Sequence, residues 1–154
     1  MRLALYQPDI PQNTGTILRM AACLGVSADI IGPAGFDMSD RSLRRAGLDY
    51  LDHVDLTRHQ SWDAFQVSRA AAATPARLVL LTSHGAVPYT DFRFAATDVL
   101  LLGRESAGVP ESVHAHADAR LKIPMCGDLR SLNIAVAAAM VLGEALRQTR
   151  QPPL

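Results

Sequence analysis

The sequence predicts an α/β domain: a mostly parallel sheet with helices on both faces. Three observations point there. Short apolar runs alternate with helix-length amphipathic segments along the chain, as parallel sheets with crossover helices require. Two of the runs, RLVLLT (Arg77–Thr82) and DVLLLG (Asp98–Gly103), are almost continuously apolar, as strands covered on both faces are. The first two helical segments end on glycine, at Gly25 and Gly47, where a helix stop needs a permissive backbone.

Taken in order, RLALY (Arg2–Tyr6) is the first strand and NTGTILRMAACLG the first helix, capped by Asn13 and stopped at Gly25. ADIIG is the second strand. SDRSLRRAG forms a short helix with Ser39 or Asp40 as its cap and Gly47 as its stop. HVDL is a short third strand, and a helix follows around Trp62–Ala72. RLVLLT and DVLLLG are the central strands, and ARLKIP is the last. A long helix closes the chain over Ser131–Thr149, with Ser131 as N-cap and Asn133 in the first turn. Its run IAVAAAMVLGEAL is rich in small residues, which permits close packing on another helix or a second subunit.

The 154 residues are 49% apolar and 19% charged, which suits one globular domain over 1–154 with its own core. No apolar run reaches the roughly 18–20 residues a bilayer demands, so no membrane partner is expected. The opening MRLALYQPDIP has too short an apolar segment for a signal peptide, and a cytoplasmic location is expected. Cys23 and Cys126 lie far apart and read as free thiols. His114 and His116 lack further ligands nearby, so no metal is expected. Formal net charge is zero, which argues against indiscriminate coating of nucleic acid. Lys122 is the only lysine among 15 basic residues. Arginine suits forked contacts to phosphate, while a compositional bias of the genome accounts for it equally well.

In such sheets ligands bind beyond the carboxyl ends of the strands. Three loops there carry chemistry: QPDIPQNTG, GRESAGVP and IPMCGDLRSLN. None contains the G-x-G-x-x-G fingerprint or a Walker loop, which speaks against nicotinamide cofactors and nucleotide hydrolysis. Arg19 follows Gly15 by four residues, on one helix face, beside a helix N-terminus suited to an anion. The alternative is a capped surface helix with a solvated arginine. Glu105 lies between Gly103 and Gly108, where backbone can approach a ligand closely; the alternative is an exposed turn glutamate. The third loop is uncharged apart from Asp128 and Arg130, and suits an aromatic ring held by apolar and main-chain contacts.

Together PQNTGTILR, LLGRESAGVP and IPMCGDLRSLNIAVAA resemble, in order and spacing, the three motifs of the SpoU/TrmH branch of the SPOUT RNA methyltransferases. The likeness runs from the first strand to Gln148. RSLRRAGLDY further resembles the minimal TrmL (YibK-like) group. The resemblance implies a C-terminal deep trefoil knot that holds S-adenosylmethionine, released as S-adenosylhomocysteine, without a metal. It implies methylation of the ribose 2′-hydroxyl of the wobble nucleotide, position 34, of tRNA, with leucine isoacceptors as substrates. It also implies a homodimer with the active site at the subunit interface. Carried over, Leu81, Thr82, Gly103, Glu105, Ile123, Met125, Ser131 and Leu132 line the cofactor. Arg19, Asn13, Ser131 and Asn133 belong to the catalytic end.

A guanidinium is practically never deprotonated, so Arg19 is expected to orient the nucleotide while a phosphate oxygen or water takes the hydroxyl proton. Arg41, Arg44 and Arg45, on one helix face, and Arg130 are candidate RNA contacts; a solvated charged face is the alternative. Two positions depart from the family pattern, Ala135 where a serine is frequent and Gly143 where a tyrosine is usual. Two other functions stand beside the leading one: ribose methylation of ribosomal or other RNA, and a non-catalytic RNA-binding factor with the same fold.

Overall fold

The computed structural model describes residues 1–45, 50–127 and 129–150. Among these, seven strands form one sheet: β1 (Arg2–Tyr6), β2 (Ser27–Ile31), β3 (Leu56–His59), β4 (Leu78–Leu81), β5 (Val87–Pro88), β6 (Val99–Leu102) and β7 (Ala119–Lys122). Their order is β3-β2-β1-β6-β4-β7-β5, and every pairing is parallel. Five helices accompany them: α1 (Pro11–Cys23), α2 (Asp40–Arg45), α3 (Trp62–Ala70), α4 (Glu111–Ala115) and α5 (Ile134–Thr149).

Alternation of side chains along each strand separates two cores. Leu3, Leu5, Leu100 and Leu102 face Ile17 and Leu18 of α1 and Leu142 of α5. Ala4, Tyr6, Leu78, Leu80 and Leu101 face Phe65 of α3 and Val113 of α4. Both faces are therefore covered, and this is why the central strands read as unbroken apolar runs.

Several boundaries differ from the sequence reading. The N-cap of α1 is Ile10, with Pro11 opening the helix and no side-chain cap. Proline is preorganised for that position and has no N–H to lose, so the helix starts before Asn13, which lies inside the first turn. Its end is as expected: Gly25 has φ +59°, Val26 N–H donates to Ala21 O (2.9 Å), and Gly25 N–H to Ala22 O (3.1 Å). Ser39 caps α2, its Oγ accepting from Ser42 N–H at 3.2 Å, whereas the expected stop at Gly47 lies outside the described residues. The third strand begins at Leu56, because residues 51–53 wind into a 3-10 turn closed by His53 N–H donating to Tyr50 O. It is an edge strand with mostly half-buried or exposed side chains, so its pattern is faint.

Asn133, not Ser131, caps α5, accepting from Ala135 N–H at 2.8 Å and Val136 N–H at 3.4 Å. α4 and β5, five and two residues long, are too short for periodicity to reveal. β7 lies between β4 and β5, although it follows both in the chain. The turn joining those two earlier strands crosses β7 closely. Thr82 N–H donates to Leu121 O at 2.9 Å, and a Cβ placed on Gly85 would stand 2.4 Å from Leu121 C. Only glycine fits that crossing.

Candidate functional site

The loops after β1, β6 and β7 meet beyond the carboxyl ends of their strands. Gln7 takes φ +43° at the end of β1 and turns the chain sharply into Pro8 and Asp9. After β6, Arg104 and Gly108 exchange main-chain hydrogen bonds (3.0 and 2.8 Å), which pins the turn that carries Glu105. A Cβ on Gly103 would stand 2.8 Å from Gly108 C, so the pinch requires glycine at 103.

Across the gap, Asn133 Nδ2 donates to Asn13 Oδ1 at 2.9 Å, joining residues 120 positions apart. Because Asn133 Oδ1 is occupied by the first amides of α5, the orientation of both side-chain amides follows. The Asn13 side-chain amide lies near the Glu105 carboxylate and favours its charged form. Asn13, Asn133 and Glu105 thus belong to one polar cluster.

Asp9, which the sequence reading passed over, completes this cluster. Its Oδ1 accepts from Glu105 N–H (3.1 Å), its Oδ2 accepts from Ser106 Oγ, and its own N–H donates to Glu105 Oε2 (3.2 Å). Burial, with Asp9 hydrogen-bonded beside it, pushes the Glu105 carboxyl above its ordinary value. Asp9 is held down at about 2 by the hydrogen bond with Glu105 and by the donors of Ser106 and the turn. No local pattern announces Asp9, whose partners lie 96 and 97 positions away.

The remaining candidate residues are placed as follows. Leu81 and Thr82 are half-buried at the end of β4, and Ile123 and Met125 are half-buried after β7. Ser131 and Leu132 are exposed just before the α5 cap. Among the described residues, the main-chain groups of 123–127 and 129–132 make no hydrogen bond to another backbone group. Half-buried apolar side chains beside loop amides and carbonyls make a suitable bed for a nucleoside. The residues therefore fit the cofactor that the motifs imply.

Arg19 is exposed, and its guanidinium lies over the Tyr50 ring, 4.6 Å from the centroid. Among the described residues it forms no ion pair. Arg44 pairs with Asp52 at 2.8 Å, while Arg41, Arg45 and Arg130 are exposed. His114 accepts from Arg120 Nε (3.1 Å), and His116 stands edge-on to Trp62, so the two rings serve different neighbours. Ala135 is buried in the core, where a serine hydroxyl would lie among apolar side chains.

The model of the SpoU rRNA Methylase family matches residues 1–143. The chain belongs to that family. A relative from Beijerinckia indica, described as a tRNA (cytidine(34)-2'-O)-methyltransferase, is 66% identical over 95% of this chain and 90% of its own. A solved structure bearing on the 2-OH methylation of C/U34 on tRNA superposes with a TM-score of 0.87 and 46% identity. It covers 96% of this chain and 94% of that one. The SpoU methyltransferase AviRb from Streptomyces viridochromogenes, solved with AdoMet, has a TM-score of 0.84 at 34% identity; 96% of this chain matches 60% of that one.

Proposed function

We infer that this protein is an S-adenosylmethionine-dependent methyltransferase acting on the ribose 2′-hydroxyl of nucleotide 34 of tRNA, with leucine isoacceptors as substrates. One observation carries the reading. Three loops converge on the Asn13–Asn133 bridge in a chain that spans nearly the whole length of relatives named for that reaction. The ribosomal alternative draws on neighbours such as an rRNA methyltransferase from Sinorhizobium meliloti, of which this chain spans 55%.

The bound cofactor supplies a sulfonium methyl for in-line attack by the ribose oxygen. The protein supplies positioning and charge. The main-chain groups of 123–127 and 129–132 and the side chains of Leu81, Ile123 and Met125 receive the adenosine, with Thr82, Gly103, Glu105, Ser131 and Leu132 completing the lining. Arg19, backed by Tyr50, presents a planar fork to the ribose or its phosphate. The fork keeps its own protons, so a phosphate oxygen or water accepts the hydroxyl proton. Asn13, Asn133 and Ser131 hold the attacking end in register, while Arg41, Arg44, Arg45 and Arg130 position the RNA backbone.

The exposed apolar stripe of α5, Val136 and Met140 with Leu132 before it, supports a homodimer whose interface completes the site. The position of β7 between β4 and β5, under the Thr82–Gly85 turn, supports the trefoil knot.

The test is mass spectrometry of tRNA from a strain lacking the gene. The wobble ribose is expected to be unmethylated in leucine isoacceptors and restored by the purified protein with S-adenosylmethionine. An unchanged wobble ribose rejects the reading. A methyl missing from ribosomal RNA moves it to the alternative, and no missing methyl at all favours a non-catalytic factor.

A further inference from the structure

On the methyltransferase reading above, we propose that Asp9 is a positioning residue of the site, acting through Glu105 on the Asn13–Asn133 bridge. The loop after β1 and the turn after β6 exchange hydrogen bonds reciprocally: each carboxylate takes the other residue's main-chain N–H, at 3.1 and 3.2 Å. Both carboxyls are therefore fixed in orientation by backbone, not by flexible side chains. Ser106 Oγ donates to the second oxygen of Asp9, so neither oxygen of Asp9 is idle.

Asp9 has little freedom to move. A Cβ on Gly35 would stand 2.8 Å from Asp9 Cβ and 3.0 Å from its Cα, and Gly35 N–H donates to Pro8 O at 2.9 Å. The strained Gln7 at φ +43° sets the direction from which the loop arrives.

The charged and polar groups around the pair come from every neighbouring element. From the turn after β6, Arg104 Nε is buried with no hydrogen bond and stands 3.9 Å from Asp9 Oδ2. Its Nη1 donates to Gln7 Oε1 at 3.3 Å. From α1, Asn13 reaches the Glu105 carboxylate, and from the cap of α5 Asn133 donates to Asn13. Two carboxyls in direct contact hold a proton between them more readily than either does alone. The raised Glu105 and the depressed Asp9 are consistent with that division. Asp9 thus fixes the turn that carries Glu105, the Glu105 carboxylate lies near the Asn13 amide, and Asn13 meets Asn133 across the cleft.

The experiment is a double-mutant cycle in single-turnover methylation of tRNA with Asp9→Asn, Glu105→Gln and the pair. Asp9→Asn keeps the volume and the acceptor for Glu105 N–H, so it is expected to fold; Tm confirms that. It is expected to lower the rate about tenfold, as a displaced reacting group does, with affinity for S-adenosylmethionine within about twofold. The double variant is expected to be no slower than Glu105→Gln alone, because Asp9 works only through that residue. The acidic limb of the pH–rate profile is expected to move to lower pH in Asp9→Asn, since Glu105 loses its carboxylate neighbour.

Losses that multiply in the double variant overturn the proposal, as does a fall in cofactor affinity that accounts for the fall in rate. An unmoved acidic limb also overturns it. The wild-type protein in the same assay separates the levels of failure. An inactive wild type refutes the functional reading and this role with it. An active wild type with multiplying losses refutes this role alone.

Discussion

The two ends of the central strands treat charge in opposite ways. At the amino ends, unlike charges pair: Arg2 Nε meets Asp29 Oδ2 at 2.7 Å, and Arg77 binds Asp98 through Nε and Nη2, both at 2.8 Å. Asp98 is completely buried and also accepts from Ala95 N–H at 2.8 Å, so its charge is fully answered. At the carboxyl ends, like charges meet: Asp9 and Glu105 are held together by backbone and hydroxyl donors, and one of the two is pushed toward protonation. The first arrangement closes a fold. The second places a perturbed pair of acids where the reading of function puts a ligand.

The sharpest way to break this comparison is at the amino end. Asp98→Ala leaves Arg77 and a backbone amide without their acceptor. It is expected to destabilise the protein by about 3 kcal/mol, the range for breaking a buried pair on one side, discounted for the partly exposed arginine. Urea unfolding measures that loss, and the rate of methyl transfer per folded molecule should be unchanged.

For the candidate catalytic arginine the expectation reverses. Arg19→Ala is expected to slow turnover about 100-fold, the scale of lost transition-state positioning, with unfolding stability changed by less than about 0.5 kcal/mol. Cofactor affinity, measured by calorimetry, should be nearly intact. Loss of that affinity instead would put Arg19 in the wrong half of the site.

The smallest effect concerns pH. Asp9 has a folded value of about 2, below its ordinary 3.8, so its contribution to stability is present above 3.8 and fades as pH falls toward 2. Glu105 has a raised folded value, so its contribution is present at acid pH and is lost as pH rises through that value. Glu105→Gln removes the second loss. It is expected to raise Tm by about 1 °C at pH 7.5, after allowance for solvent screening, and to leave it unchanged near pH 4. A scan of Tm against pH measures both ends.

Much of the fold was legible because the central strands are apolar on both faces, which leaves a continuous run in Leu78–Leu81 and Val99–Leu102. Gly25 was legible because a positive φ admits few other residues. The start of α1 was misread although Pro11 signalled it, since Asn13 offered a competing cap. Asn133, itself a favoured cap residue, caps α5 in place of Ser131, and no local pattern shows that its side chain also reaches Asn13 on another helix. Asn13 and Glu105 could be picked out by their loops, but Asp9 could not. Its role depends on a turn 96 positions away that the sheet order brings alongside.

The amino-acid sequence by itself determined the α/β class, the central strands and the three loops that hold the candidate site residues, because hydrophobic period and helix-end residues act over a few neighbours. The tertiary structure alone decided which side chains meet. Strand order places β1, β6, β4 and β7 side by side, and only that juxtaposition turns an ordinary loop aspartate into the partner of Glu105. Contact across the sheet is a property of the packed chain, where burial makes a hydrogen bond or a like charge count for more than it does in water.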